Sequence, residues 1–218
     1  MTRPEIIGSE RSTYTRVVRM VCEEKGIDHV LTERLLGAPE IAAIHPLGKM
    51  PVLRHGEIKL FESSAIATYL DRAFPGPSVF PSDPLPAALT EQWISFVNTS
   101  VDRTLIRTYL FAYIAPMGPD GTPDRAAIDA VMPAVREQLG ILDRAVAATG
   151  HLVGSEFSFA DINLLPILFY IRRTPEGGEA LADARHLCAY YDTHAARPCF
   201  VRTVPPIGPP SRVRPARM

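Results

Sequence analysis

His45-Pro46-Leu47-Gly48-Lys49-Met50-Pro51-Val52-Leu53 is the stretch on which the reading of this chain turns. It runs from a turn, through one cationic side chain, into an apolar strand whose first residue is proline. Pro51 has no amide proton to give a sheet ladder, so it belongs at a strand start or an edge. An X-Pro bond at such a place is where a cis peptide costs little. Met50 then has outward-facing backbone groups, free to pair with an extended ligand. Taken alone, the plainer reading is favoured: a tight loop before a strand.

Working outward from this stretch, Glu5-Ile6-Ile7 upstream is a short strand ended by Gly8-Ser9. From Ser12 to Glu24, Val17, Val18, Met20, Val21 and Cys22 mark one broad face at helical spacing. Ser12 is placed to cap this helix and Gly26 to close it. His29 to Thr32 reads as a second strand, and Pro39 to Ile44 as a short helix. Downstream, Pro51 to Leu53 is a third strand. Gly56 turns the chain, and Ile58 to Phe61 returns as a hairpin partner. Glu62 to Arg72 is helical again. The order strand-helix-strand-helix-strand-strand-helix predicts a compact α/β unit with a mixed sheet.

Prolines 75, 77, 81, 84 and 86 then break all periodicity, as in a linker, and beyond them the strand signals stop. Leu89 to Ile114 is a long amphipathic helix with Trp93, Val97, Val101, Leu105 and Tyr109 in one stripe, ended by Pro116-Met117-Gly118-Pro119. Asp124 to Thr149 is a second, kinked or restarted at Pro133, and Phe159 to Arg173 a mostly apolar third, bent at Pro166. A loop at Gly177-Gly178 leads to shorter helices near Leu181 and from Leu187 to Arg197. The expected units are residues 1–77, residues 87–204 and a proline-rich tail over 205–218.

The 218 residues carry a formal net charge of −1, so no general nucleic-acid or membrane surface is expected. The one basic cluster, Arg212, Arg214 and Arg217, lies in the tail. Cys22, Cys188 and Cys199 have neither metal-like nor CxxC spacing and read as free thiols in a reducing compartment. Met1 to Thr15 lacks the apolar core of a signal peptide, and the longest apolar run, Ile162 to Ile171, is too short to span a bilayer. A cytoplasmic enzyme or binding protein is the expectation. The sequon Asn98-Thr99-Ser100 reads as chance.

Three further constellations bear on chemistry. Ser158-Phe159-Ala160-Asp161 is a capping box with Asp in place of Glu, flanked by Phe157 and Ile162 at staple positions, and its role is structural. Gly8 to Ser12 joins the first strand to the first helix. A hydroxyl there can cap the helix, or it can help the helix's free amides hold an anion such as a thiolate. On position alone the two roles stand even. Glu62-Ser63 opens the third helix, where Ser63 is expected as N-cap and would accept a carboxylate, while Glu62 faces an ammonium. Lys49 could hold a second carboxylate; read alone, each of these is ordinary capping or a solvated charge. GxGxxG after a strand, GxxxxGK[ST], HExxH and GxSxG motifs are absent, and no two histidines have metal-ligand spacing.

Together these residues resemble the soluble glutathione S-transferases, over nearly the whole chain. The resemblance rests on Ser12 to Arg19, Pro46 to Leu53 and Phe61-Glu62-Ser63, with Trp93 and Phe159-Ala160-Asp161-Ile162 in the second half. It is closest to bacterial-like, serine-type members. It implies an α/β thioredoxin-like N-terminal domain joined to an all-α C-terminal helical domain, and a cis Met50-Pro51 bond. It implies glutathione as co-substrate and no metal. The backbone of Met50 would pair with the cysteinyl part, Glu62 and Ser63 would hold the γ-glutamyl end, and Lys49 the glycine carboxylate. Ser12 falls at the thiol-activating position, with Ser9 and Tyr14 close enough to be alternatives. Tyr14, Tyr109 and Tyr113 would line the pocket for a small hydrophobic electrophile, although a core role for Tyr109 or Tyr113 is as well founded. Met50 stands where Val or Ile is commoner, and His45 where Asn is frequent. The implied function is detoxifying conjugation by a homodimer. A non-catalytic ligand- or partner-binding protein, or a glutathione-dependent isomerase or dehalogenase, are the alternatives. With no cysteine near Ser12 except Cys22, redox exchange is disfavoured.

Overall fold

The computed structural model describes residues 2–114 and 122–206. The expected helix end at residues 116–119 and the basic part of the tail fall outside them. The first half consists of β1 (Glu5–Gly8), α1 (Thr13–Lys25), β2 (Val30–Glu33), α2 (Pro39–Ala42), β3 (Val52–His55), β4 (Ile58–Phe61) and α3 (Ser63–Ala73). The sheet order is β2-β1-β3-β4, with β1 parallel to β2 and the other pairs antiparallel. A parallel pair needs a crossover and α1 supplies it; the antiparallel β3–β4 pair needs only the turn at Gly56, where φ is +59°.

Successive strand residues face opposite sides, so Ile6 and Leu53 point into one core with Val17, Val21, Ile66 and Leu70. Ile7 and Val52 point the other way and are covered by Ile41 of α2. Ser12 caps α1, accepting from the Thr15 amide at 3.3 Å. Gly26 ends it in the left-handed conformation at φ +71°, and Ile27 N–H returns to the Cys22 carbonyl at 2.8 Å, a Schellman-type stop. Met50-Pro51 is cis, as the resemblance implies.

The second half is helical: α4 (Pro84–Phe96), a π-helical continuation (Val97–Leu110), α5 (Phe111–Ile114), α6 (Arg125–Val146), α7 (Phe159–Ile171), α8 (Pro175–Asp183), α9 (Arg185–Ala195) and α10 (Pro198–Val201). The thioredoxin-like plus all-α architecture is therefore as expected. The stripe Val97, Val101, Leu105 and Tyr109 is fully buried, with Trp93 half-buried at its margin. Its π register was not foreseen. Wider turns align residues five apart, and Arg107 pairs with Asp102 at that spacing, 2.9 Å away. Among the described residues no helix is long and apolar enough to cross a membrane.

Several local details differ from the expected ones. Pro133 does not restart α6, which runs on through it, and Pro166 likewise lies inside continuous α7. Gly177-Gly178 is no loop but lies within α8. A Cβ on Gly177 would come within 2.5 Å of Thr174 Oγ1 and 2.8 Å of the Ile171 carbonyl, so close approach requires the glycine. Ser63 is not the N-cap of α3 but its first helical residue; Glu62 caps it from φ +66°, with no side-chain capping bond.

Two buried charges make long-range ties, and the first binds the halves. Arg16, 1% exposed, lies between the rings of Phe169 and Phe200 and donates to the Phe200 carbonyl and to Thr203 Oγ1. Lys25 pairs with Asp71 at 3.0 Å and also donates to the Pro77 carbonyl, while Asp71 accepts from the Val79 amide. In this way α1, α3 and the proline-rich connection are fastened at one point. The capping box is also confirmed: Asp161 accepts from the Ser158 amide at 2.9 Å. Phe157 and Ile162 both join the main core, as staple residues should.

Candidate functional site

Ser12 sits half-buried where the β1–α1 loop becomes helix. Its oxygen accepts from the Thr15 amide, which occupies a lone pair and leaves the hydroxyl proton free to be donated elsewhere. Capping and donation to a sulfur are therefore compatible in this geometry. The same loop is held from both sides. Tyr170 of α7 donates its hydroxyl to the Arg11 carbonyl at 2.6 Å, and Glu33 of β2 accepts from the Glu10 amide at 2.9 Å.

Met50 lies against this loop, its sulfur 3.1 Å from the Ser9 amide nitrogen, which donates to it. Beyond the backbone role that the resemblance implies, the Met50 side chain thus tethers the loop bearing Ser12. That contact places the cis-proline strand beside the start of α1. The Ser9 hydroxyl likewise accepts from a backbone amide, that of Arg11 at 3.3 Å within the turn, so it stays an alternative to Ser12. Pro51 is buried, whereas Lys49 is exposed and makes no hydrogen bond or ion pair among the described residues.

Glu62 and Ser63 stand at the start of α3, the first with an exposed carboxylate and the second buried at 6% exposure. Glu62 is the one non-glycine residue with positive φ among those described. A carboxylate-bearing residue in that sparsely populated region is a mark of functional sites. His45 packs beneath it, with Nε2 3.4 Å from Glu62 Oε1. No sequence signal beyond its unusual identity pointed to this contact.

Tyr14 is half-buried in the first turn of α1 and faces Asp102 of the π-helical segment. Its hydroxyl pKa is pushed up, first by burial and then by the Asp102 carboxylate, with Arg107 opposing. A phenol held protonated in this way is a poor base but can donate to a bound molecule. Asp102 is buried at 6% exposure, and the π register that brings Arg107 to it creates a polar wall beside Tyr14. Sequence reasoning missed this wall because it presumed α-helical spacing.

The other two tyrosines do not join them. Tyr109 is fully buried, donates to Thr174 Oγ1 at 2.8 Å and accepts from the Gly177 amide at 2.7 Å, so it belongs to the core and not to an open pocket. Tyr113 packs edge-on against Tyr109 and donates to Glu176, which also pairs with Arg125. Both serve to fasten α8. Asn98 is half-buried, bonded to Ser64 and Asn163. The cysteines are free, and burial pushes Cys22 and Cys199 up to about 12. Neither is a thiolate at neutral pH. A cleft of about 500 Å³ between α6 and α9, lined by His151, His186, Tyr190 and His194, contains none of the residues at Ser12, Met50 or Glu62. Among the described residues no group of three or more His, Cys, Asp or Glu could hold a metal ion.

With this geometry in place, comparison with known proteins is direct. Residues 6–78 match the glutathione S-transferase N-terminal domain, and residues 105–198 the glutathione S-transferase C-terminal domain. Glutathione S-transferase 3 of Zea mays is 30% identical over 204 residues, covering 88% of this chain and 90% of that one. The crystal structure of glutathione transferase F7 from Populus trichocarpa superposes with a TM-score of 0.82 at 26% identity, covering 92% of this chain and 97% of that one. Elongation factor 1-gamma of Prunus avium is 31% identical over 134 residues, which is 61% of this chain but only 30% of the elongation factor. The chain belongs to the soluble glutathione S-transferase family.

Proposed function

We infer that this chain is a glutathione transferase that activates the glutathione thiol at Ser12 for attack on small hydrophobic electrophiles. The observation that carries the reading is the state of the Ser12 hydroxyl. It is anchored by the Thr15 amide at the N-terminus of a 13-residue helix, with its proton uncommitted and the Met50 strand alongside through the Ser9 contact. In this reading the Met50 backbone pairs with the cysteinyl unit. Glu62 and Ser63 receive the γ-glutamyl ammonium and carboxylate, and Lys49 the glycine carboxylate.

The energetics are adequate. Lowering a thiol pKa by about two units takes about 2.7 kcal/mol. A helix end contributes roughly 0.3–1 kcal/mol to an anion, more when partly buried. One hydrogen bond to a charged group adds about 1.5–3 kcal/mol. The thiol proton leaves to solvent, the sulfur forms a bond to the electrophilic carbon, and the leaving group departs with its electron pair. The protein thus positions and ionises a nucleophile that it does not own.

Tyr14, beside Asp102 and Arg107, is the wall proposed to face the electrophile. The division into a glutathione-binding unit of residues 1–77 and a helical unit of 87–204, a cytoplasmic location, a detoxifying role and a homodimer belong to the same reading. Exposed Leu47 and Phe61, at 73% and 40%, support a subunit contact beside the His45 turn.

The test is conjugation of a generic aryl halide by wild type and Ser12→Ala. Activity should fall strongly while glutathione affinity stays near wild type; unchanged activity removes Ser12 from the reading. The likeness to elongation factor 1-gamma gives weight to a second reading, a non-catalytic binding module. A wild-type chain that does not bind glutathione would favour it.

A further inference from the structure

The most constrained unassigned group near the site is the His45 imidazole. Its backbone closes two turns, since its amide donates to the Ile41 carbonyl at 2.8 Å and its carbonyl accepts from Gly48 at 2.9 Å. The ring is buried at 4% exposure against Phe61, with ring centroids 5.0 Å apart. Nδ1 accepts from the Leu47 amide at 3.0 Å, which fixes a lone pair there and puts the proton of the neutral ring on Nε2. Nε2 lies 3.4 Å from Glu62 Oε1, a long contact at ion-pair range. Glu62 has an otherwise exposed side chain and a backbone at φ +66°. One ring thus joins the turn leading into Lys49-Met50 to the carboxylate at the start of α3.

We propose that His45 is a positioning residue that holds the Glu62 carboxylate and the Leu47–Met50 turn at a fixed span, and so sets affinity for the γ-glutamyl end of glutathione without touching it. This rests on the reading that Met50 and Glu62 receive glutathione. The physical reason is preorganisation: a glutamate side chain free to rotate must be ordered when ligand arrives, and a buried polar ring beside it narrows that freedom beforehand. The sequence distinguishes His from shorter polar residues here because only a ring presents groups to both sides. Asn places an oxygen where Nδ1 sits but has nothing at the Nε2 position. Gln reaches the Nε2 position but has no acceptor set for the Leu47 amide.

The two substitutions therefore separate the roles. His45→Asn should keep the turn and the thermal midpoint while raising KM and the calorimetric Kd for glutathione by about tenfold, with kcat within twofold. His45→Gln should lower the thermal midpoint yet keep Kd closer to wild type than His45→Asn does. In a Glu62→Ala background, adding His45→Asn should change Kd by less than twofold. The proposal is overturned if His45→Asn binds glutathione like wild type. It is also overturned if the effect persists undiminished without Glu62, or if both substitutions lower stability and affinity in parallel, which would mark a purely structural residue. Failure of the wild-type chain itself to bind glutathione would overturn the underlying reading and this proposal with it. Normal wild-type binding with an indifferent His45→Asn overturns this proposal alone.

Discussion

Replacing Asp161 by alanine tests whether the capping box of α7 is a local cap or a hub of the helical core. The side chain is fully buried. One oxygen accepts from the Leu152 amide at 2.9 Å and the Tyr190 hydroxyl at 3.1 Å; the other accepts from the Ser158 amide at 2.9 Å and the Ser158 hydroxyl at 3.2 Å. Burial, followed by the Asp161 charge, keeps the Tyr190 phenol protonated and so a donor. Alanine leaves two amides and one phenol buried without an acceptor; the Ser158 hydroxyl can rotate away. Each stranded donor costs about 1–3 kcal/mol, so three at about 1.5 each give roughly 4–5 kcal/mol. An ordinary N-cap is worth about 1 kcal/mol. For a chain of this length the difference is legible: about 2–4 °C of thermal midpoint per kcal/mol, hence roughly 10–15 °C for the hub against a few degrees for the cap. Thermal and urea unfolding followed by circular dichroism would read it. Tyr190→Phe, which removes a donor and strands nothing, is the control and should cost only about 1 kcal/mol. If Asp161→Ala costs no more than Tyr190→Phe, the hub argument is wrong.

Other expectations follow from single contacts. Arg16→Lys should destabilise more than Arg16→Met in urea. Lysine cannot stack between Phe169 and Phe200, whereas methionine fills the apolar slot, and the Phe200 carbonyl still has the Thr203 amide. The reverse order would contradict this. Gly177→Ala should lower the thermal midpoint through the close approach of Thr174 and the Ile171 carbonyl, and a neutral result would show that α8 can shift. The Glu176 carboxylate is held down to about 2, first by the Tyr113 hydroxyl and then by Arg125, with burial opposing. Its folded pKa lies below the unfolded one near 4.3, so its stabilisation is present above that pH and is lost as pH falls towards 2. Glu176→Gln should flatten the stability profile in that window; an unchanged profile would assign the acid sensitivity elsewhere.

How far the sequence could be read depended on whether the signal was local. The strands, the Ser12 and Gly26 caps of α1 and the Ser158–Asp161 box were legible because each is a short-range pattern with a mechanism. The cis Met50-Pro51 bond was implied by the resemblance; a proline at a strand start only made it affordable. What failed was decided at long range. Glycines 177 and 178 read as a loop, because nothing local tells that Thr174 and the Ile171 carbonyl press on the helix there. Arg16 drew no reading from the sequence, because Phe169 and Phe200, about 150 and 180 positions away, are what enclose it. The resemblance offered Tyr109 and Tyr113 as pocket residues, but Thr174 and Glu176 claim their hydroxyls. Of the candidate site, Ser12, Met50 and Glu62 were visible as residue types in order. The ties between them, Ser9 to Met50 and His45 to Glu62, were not, since both depend on how two loops meet.

The central claim is that glutathione lies along the Met50 strand with its sulfur at Ser12. Following the thiolate absorbance of bound glutathione as pH is raised tests it most directly, in wild type and in Ser12→Ala. The account predicts a bound thiol that ionises about two units below free glutathione in wild type and returns most of the way towards the free value in the variant. A bound thiol that titrates like free glutathione, or a depression that survives Ser12→Ala intact, would contradict it.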